Sequence, residues 1–249
     1  NINPKVSKNR SYTLLMSPLS KALFSPLLYT KRFGPLFCTQ FLGAFNDNLL
    51  RFSIIMFLIL NVFDGDSENS RILVATTGAI FILPFFLFSS LAGEVADKYE
   101  KSKLIKHIKS VEILIVCIAS LGFLIARYYL LLFALFLMGT QSTFFGPLKY
   151  ALLPQLLEKK ELTPANAMLQ AGTYFAIMTG TILGGLLAGI DGATSKIIII
   201  HILGLAIAGR TCAHFIPIAA ASDDTIVIRK NLPKATVSIV KEAISDRRN

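Results

Sequence analysis

Long apolar stretches, separated by short polar segments, dominate this chain. Six of them hold about 20 mostly apolar residues, the length that an α-helix needs to cross the hydrocarbon core of a membrane. They cover residues 34–60, 71–92, 107–126, 128–150, 166–190 and 196–217. The pattern predicts an all-α integral membrane protein with six transmembrane helices.

Composition supports this fold class. The 249 residues are 53% hydrophobic and only 16% charged, whereas soluble domains are about 25% charged. That balance excludes a disordered protein, a disulfide scaffold and an ordinary soluble enzyme. Cys38, Cys117 and Cys212 all lie in apolar stretches. Their odd number and depth argue against disulfides and against a zinc site, so we expect them to be packing residues.

The net charge of +10 suits either a nucleic-acid partner or a membrane protein with basic loops. If the amino terminus is cytoplasmic, four segments face the cytoplasm, namely residues 1–33, 93–109, 149–165 and 222–249. They hold 20 of the 25 Lys and Arg residues, and the outer loops hold only three. Because cytoplasmic loops are enriched in Lys and Arg, both termini are predicted to be cytoplasmic and no nucleic-acid partner is expected.

The first stretch carries a dense polar group, Gln40, Asn46, Asp47, Asn48 and Arg51. Polar groups in lipid are costly unless they are partnered, so they mark sites or pathways. Asp47 lies about 18 Å into this helix, near the membrane midplane. Asp47 and Arg51 are one turn apart and have two interpretations: they neutralise each other, or they line a polar cavity. We favour the cavity.

The fourth stretch ends with Gln141 and, further on, Lys149. From the residues alone, we favour a simple interpretation of Lys149, in which its amine reaches the headgroups at the membrane surface, over a specific functional role. Between them, Gly146 and Pro147 are expected to break the helix, which is best tolerated beside a cavity.

Two further groups of residues have structural interpretations. After the second stretch, Gly93 is expected to let the chain turn at the membrane surface. Asp97 is expected either to cap the next helix or to pair with a neighbouring helix end, and Lys98 to face anionic lipid. In the fifth stretch, glycines spaced four apart predict close helix packing. These are Gly180, Gly184, Gly185 and Gly189.

Motifs for other chemistries are missing from the sequence. It has no phosphate-binding G-x-x-x-x-G-K-[ST] loop, no H-E-x-x-H and no C-x-x-C. We therefore predict no catalytic residues, no metal site and no cofactor, and a chain that is not itself an enzyme.

Three strings resemble one branch of the major facilitator superfamily, the bacterial lysophospholipid transporters. The strings are Phe41 to Leu50 (FLGAFNDNLL), Leu91 to Lys98 (LAGEVADK) and Phe145 to Tyr150 (FGPLKY). The second is similar to the loop signature of the superfamily, from which Glu100 and Ser102 depart where the signature has a glycine and a second basic residue. The resemblance spans about residues 33–217.

The resemblance implies a twelve-helix fold of two six-helix halves, each built from three-plus-three inverted repeats. This chain is then the N-terminal half, and its start at Asn1 and abrupt end suggest a piece of a longer protein. The implied organisation is a cytoplasmic N-terminal segment at 1–33, a six-span bundle at 34–217, and the start of a central cytoplasmic loop at 218–249.

The implied function is a carrier that moves lysophospholipids such as lysophosphatidylethanolamine across the bacterial inner membrane by alternating access. Asp47 would receive the ammonium of the head group and Lys149 its phosphate. Asn46, Asn48, Gln141 and Arg51 would complete the polar site, and the rings of Phe41, Phe45 and Phe144 would meet the acyl chain. The implied partners are the bilayer, a missing C-terminal half, and an acyltransferase or acyl-ACP synthetase module.

Three other interpretations stay open. The chain can belong to a facilitator for a drug or another small solute. It can be the membrane portion of a fused lysophospholipid acyltransferase, so that the complete polypeptide is an enzyme. It can also be a truncated product without transport activity.

Overall fold

The computed structural model describes residues 27–61, 67–188 and 194–219. Within these ranges the chain forms six long helices and no strand. The helices are α1 (Gly34–Asn61), α2 (Ser67–Lys98), α3 (Lys101–Leu124), α4 (Tyr128–Leu156), α5 (Lys159–Ala188) and α6 (Thr194–His214). Each contains a stretch long and apolar enough to cross a membrane. The predicted six-span, all-α fold is confirmed.

Several helices continue past their predicted ends. α2 runs to Lys98 and α3 starts at Lys101, so only Tyr99 and Glu100 remain of the predicted loop at 93–106. Gly93 lies inside α2, and the turn predicted there is wrong. A helix satisfies its own backbone hydrogen bonds, so it can extend beyond the apolar stretch by which the spans were recognised.

The predicted helix break at Gly146 and Pro147 is also wrong. α4 is continuous from Tyr128 to Leu156, with Pro147 and Pro154 inside it. A proline removes one backbone N–H, so Pro147 deprives the carbonyl of Thr143 of its helical donor. The other hydrogen bonds of the helix keep it intact.

The packing of the helices repeats after the third one. α1 packs mainly against α5 and α6, α4 packs mainly against α2 and α3, and α3 packs against α6. Exchanging α1, α2 and α3 for α4, α5 and α6 leaves this set of pairings unchanged. Successive spans cross the membrane in opposite directions, so α1 and α4 are antiparallel. The two triplets are therefore inverted repeats.

The core of the bundle is split into two apolar clusters by a polar layer. One cluster occupies one end of the bundle, with Leu49 on α1 and Ile115 on α3, and the other occupies the opposite end, with Leu36 and Ile108. Between these levels lie buried polar side chains of α1, α3 and α4. They are Thr39, Gln40, Asn46, Lys109, Glu112, Gln141 and Thr143.

Glycines allow α5 to approach the backbone of α1. A Cβ atom at Gly180 would lie 2.5 Å from the carbonyl oxygen of Phe45, and one at Gly184 would lie 2.6 Å from that of Leu49. Gly185, by contrast, faces open space, so its predicted packing role is wrong. It follows Gly184 directly and is rotated by about 100° away from α1. Gly189 lies outside the described residues.

Glu100 caps the start of α3. Its carboxylate accepts hydrogen bonds from the backbone N–H groups of Ser102 and Lys103, at 3.1 and 3.2 Å, and from the hydroxyl of Ser102. Burial opposes ionisation of Glu100, but these hydrogen bonds, one from the backbone of Ala219 and the charge of Lys103 outweigh it and lower its pKa. The cap is therefore Glu100 and not Asp97, for which capping was one of the two predicted roles. Glu100 and Ser102 are the two residues that depart from the loop signature.

The close approach of α1 and α5 predicts unequal effects of two neighbouring alanine substitutions. Gly180→Ala places a methyl group against the α1 backbone, and we expect it to destabilise the bundle by about 1–3 kcal/mol. Gly185→Ala meets open space and should leave stability unchanged or slightly raised. The measurement is thermal unfolding of the complete protein in detergent. Equal effects of the two variants would contradict this packing.

Candidate functional site

The polar residues of α1 point in different directions, because successive residues of a helix are rotated by about 100°. The side chain of Asn46 is fully buried and donates to Oε1 of Glu112 on α3 at 3.1 Å. Asp47 faces α4 instead, where its Oδ2 accepts a hydrogen bond from the hydroxyl of Ser142 at 2.5 Å. Its other oxygen, Oδ1, is buried and has no hydrogen-bond partner in the described structure.

Arg51 does not pair with Asp47. The described ion pairs do not include these two residues. The guanidinium of Arg51 donates to Oδ1 of Asn48 at 3.3 Å and lies 5.2 and 5.5 Å from the ring centres of Phe52 and Phe81. These aromatic faces stabilise the cation, and Arg51 and Asp47 form no direct ion pair among the described residues.

A cavity of about 210 Å³ opens beside Asp47. All helices except α6 contribute to its wall. The polar lining comprises Gln40, Asp47, Asn48, Lys109, Gln141, Ser142, Lys149 and Thr173. Four of the six predicted binding residues thus share one cavity. Two do not line it: Asn46 is directed to Glu112, and Arg51 to the aromatic rings.

Asp47 and Lys149 lie at different depths along this cavity. Asp47 is about 20 Å along α1 from its start, and Lys149 is about 10 Å from the end of α4. Because α1 and α4 are antiparallel, both distances are measured from the same face of the membrane. The cavity is therefore lined by an acidic residue near the midplane and by a basic residue whose backbone lies about 10 Å closer to that face.

A buried ion pair on α3 supports one wall of the cavity. Nζ of Lys109 lies 2.5 Å from Oε2 of Glu112, and both side chains are 1% exposed. The carboxylate of Glu112 also accepts hydrogen bonds from Asn46, at 3.1 Å, and from Gln141 on α4, at 3.3 Å. One carboxylate thus links three helices. In a site this dry, such a charge is tolerated only with partners of this kind.

The amine of Lys109 fits between α1 and α4 because its neighbours leave room for it. A Cβ atom at Gly43 would collide with Nζ of Lys109, and the ring of Phe145 lies 5.1 Å from the same atom. The sequence interpretation counted Lys109 with the cytoplasmic segment 93–109, which is wrong because its side chain is buried. In the sequence, the spacing of Lys109 and Glu112, about one helical turn, was the feature that indicated an ion pair.

Next to the polar cavity, an apolar groove of about 410 Å³ runs between α3 and α4. Phe144 lines this groove, and Gln141 lines both spaces. The other two aromatic residues expected to meet an acyl chain line neither space. Phe41 instead stacks on Phe45, with ring centres 6.3 Å apart.

The residues of the loop signature lie at the end of α2. Asp97 is exposed and has no hydrogen bond or ion pair within the described part of the chain. Nζ of Lys98 lies 5.9 Å from the ring centre of Tyr99. The carboxylate of Asp97 is therefore available to a partner beyond the described residues.

Comparison with known families decides the assignment of this bundle. Residues 36–246, well over half of the chain, match the model of the Major Facilitator Superfamily. The chain belongs to the major facilitator superfamily. It is a multi-pass membrane protein, and its inverted triplets fit the fold of this superfamily.

Curated members of the superfamily are similar to this chain. It is 27% identical over 198 residues to the lysophospholipid transporter LplT of Photorhabdus laumondii. The aligned region covers 80% of this chain and 46% of that protein. It is 28% identical over 196 residues to LplT of Citrobacter koseri, covering 78% of this chain and 45% of that protein. The chain spans about half the length of the curated relatives it matches. No solved structure matches it significantly.

Removing one charge of the buried ion pair is expected to destabilise the bundle strongly, and removing the second charge as well is expected to restore part of the stability. Lys109→Met leaves Glu112 charged and unpaired, and we expect it to destabilise the bundle by about 3–5 kcal/mol. The double variant Lys109→Met/Glu112→Gln removes both charges and keeps an amide for Asn46 and Gln141, so it should regain more than half of that loss. Thermal unfolding of the three proteins measures this. A double variant as unstable as Lys109→Met would contradict the pairing.

Proposed function

We propose that the complete protein is a carrier that moves lysophospholipids across the bacterial inner membrane by alternating access. The relatives of this chain are named lysophospholipid transporters, and the chain belongs to a superfamily whose substrate sites lie between two six-helix halves. The observation that carries the proposal is the pair of opposite charges, Asp47 and Lys149, in one cavity.

The two charges are complementary to a zwitterionic head group. In lysophosphatidylethanolamine, an ammonium and a phosphate are joined by a two-carbon linker and leave one acyl chain. Asp47 receives the ammonium, since its Oδ1 is buried without a hydrogen-bond partner. Lys149 meets the phosphate as a point charge. Asn48 and Gln141, which line the same cavity, supply neutral hydrogen bonds.

The different depths of these charges give a direction to the movement. The backbone positions of Asp47 and Lys149 differ by roughly 10 Å in depth, so a head group that moves toward the nearer face passes from the carboxylate toward the amine. A rocking motion that alters the access to the cavity then exchanges one contact for the other. The phosphate is drawn toward Lys149 as the ammonium leaves Asp47, which moves the head group toward one face.

The cavity of this half is too small for a whole lysolipid. Its volume of about 210 Å³ lies below the roughly 300–1,000 Å³ of sites that enclose a small molecule. A second six-helix half, outside this chain, supplies the opposite wall. In an apolar 18-residue stretch of α2 only 17% is buried, against 56% in that of α1. We assign part of the exposed surface of α2 to that interface. In this proposal the acyl chain lies along the groove that Phe144 lines.

The same proposal assigns the domains and the orientation. Residues 1–33 and 218–249 are cytoplasmic segments, and residues 34–217 form the N-terminal bundle. The support is the distribution of charge: the outer loops hold only three of the 25 basic residues, and the assigned cytoplasmic segments hold most of the others even when the buried Lys109 is left out. The chain contributes transport and not catalysis. Its fusion to an acyltransferase or acyl-ACP synthetase module stays a prediction.

Uptake of labelled lysophosphatidylethanolamine into spheroplasts tests the proposed function. The cells make the complete open reading frame with Asp47→Asn, Lys149→Met or the control Lys159→Gln, which changes an exposed lysine. Losing one charge contact of about 1.5–3 kcal/mol should lower uptake at least tenfold in the first two variants at matched membrane levels. The control should transport normally.

Two results would overturn the assignment. Normal uptake by both Asp47→Asn and Lys149→Met would show that the head group does not bind in this cavity. No uptake by the unaltered protein, with normal uptake of a drug or another small solute, would replace lysolipid by a different substrate class.

A further inference from the structure

Two cysteines from opposite ends of the sequence meet in the bundle. Sγ of Cys38 on α1 lies 2.9 Å from Sγ of Cys212 on α6. Both are free thiols and both are partly exposed. A disulfide needs a sulfur–sulfur distance of about 2.05 Å, so the two atoms have to approach by less than 1 Å. The third cysteine, Cys117, lies on α3 and is exposed.

The two thiols are open to small molecules. They line a pocket of about 600 Å³ at the end of the bundle where α1 begins and α6 ends. Apart from Thr30 and Lys31, the remaining lining is apolar or contributed by Tyr29, a ring that is 87% exposed. A small neutral reagent therefore has access to the sulfur atoms from the membrane surface.

We propose that Cys38 and Cys212 form a redox modification site, a dithiol that a hydroperoxide converts reversibly into a disulfide between α1 and α6. This site is separate from the Asp47 cavity and does not require transport, but its exposure to a reducing compartment rests on the cytoplasmic orientation proposed above. The neutral, partly apolar hydroperoxide suits the lining of the pocket better than a charged oxidant does. Disulfides that form in reducing compartments are characteristically transient and redox-sensing.

The chemistry balances in two steps. The thiolate of one cysteine attacks the terminal oxygen of the hydroperoxide. The O–O bond breaks, an S–O bond forms, and the products after protonation are a sulfenic acid and an alcohol. The second thiol then attacks the sulfenic sulfur, so that the S–S bond forms, the S–O bond breaks and water leaves. The two cysteines lose two electrons and the hydroperoxide gains them. A dithiol reductant reverses the change by thiol–disulfide exchange.

Oxidation would link α1 covalently to α6, the first and last helices of the bundle. Cys38 and Cys212 are 174 positions apart, so the bond closes a long loop and restricts the unfolded chain strongly. α1 and α6 already pack against each other, so no helix has to move far. The oxidised form is therefore expected to be more resistant to thermal unfolding than the reduced form.

Peptide mapping of the complete protein in membranes tests the site. The membranes are treated with tert-butyl hydroperoxide and denatured, free thiols are alkylated, and the digest is analysed by mass spectrometry. We expect a Cys38–Cys212 linked peptide to account for more than half of both cysteines, and to disappear after dithiothreitol. Cys117 should remain alkylated throughout and serves as the internal control.

A second measurement separates the site from general oxidation. Oxidant should raise the midpoint of thermal unfolding by about 5 °C in the unaltered protein, and by nothing in Cys38→Ser or Cys212→Ser. Cys117→Ser should respond like the unaltered protein. The proposal fails if Cys38 and Cys212 stay alkylated to the same extent as Cys117 after oxidant treatment. It also fails if the linked peptide forms but the midpoint does not rise.

Discussion

The buried ion pair between Lys109 and Glu112 is the interaction on which the centre of this bundle depends. An unpaired charge in a dry interior costs several kcal/mol, so the carboxylate of Glu112 needs charged and hydrogen-bonding partners. Lys109, Asn46 and Gln141 are these partners, and together they fix the relative positions of α1, α3 and α4. The two apolar clusters above and below contribute most of the burial, but the polar layer determines the register of the helices.

That register accounts for the geometry of the cavity. With Asn46 tied to Glu112, the next residue, Asp47, is rotated toward Ser142 and the open space. One oxygen of Asp47 stays without a hydrogen-bond partner because the charges of α3 are already engaged with each other. The bundle thus keeps the charges of α3 paired with each other and leaves Oδ1 of Asp47 without a partner, which suits the ligand-binding role that we propose for Asp47 and Lys149. A carrier needs this separation, because its binding charges have to release what they hold.

The sequence predicted the helices well and the site partly, for physical reasons. Spans of about 20 apolar residues are constrained by membrane thickness, so their number is easily recognised, but their ends are not, as Gly93 and Lys98 within α2 show. Asp47 and Lys149, which line one cavity, stood out in the sequence because isolated charges in apolar helices are rare. Lys109 was missed because a lysine at the edge of an apolar run looks like a loop residue. The meeting of Cys38 and Cys212 depends on tertiary packing across the whole chain, which no local pattern contains.

The most direct test of the central claim is a binding measurement that does not require transport. Native mass spectrometry of the purified complete protein with lysophosphatidylethanolamine reports the bound fraction for the unaltered protein, Asp47→Asn and Asp97→Asn. The account predicts one bound lysolipid, with at least tenfold weaker binding in Asp47→Asn and no change in Asp97→Asn, whose carboxylate lies away from the cavity. Equal binding by all three proteins would contradict it.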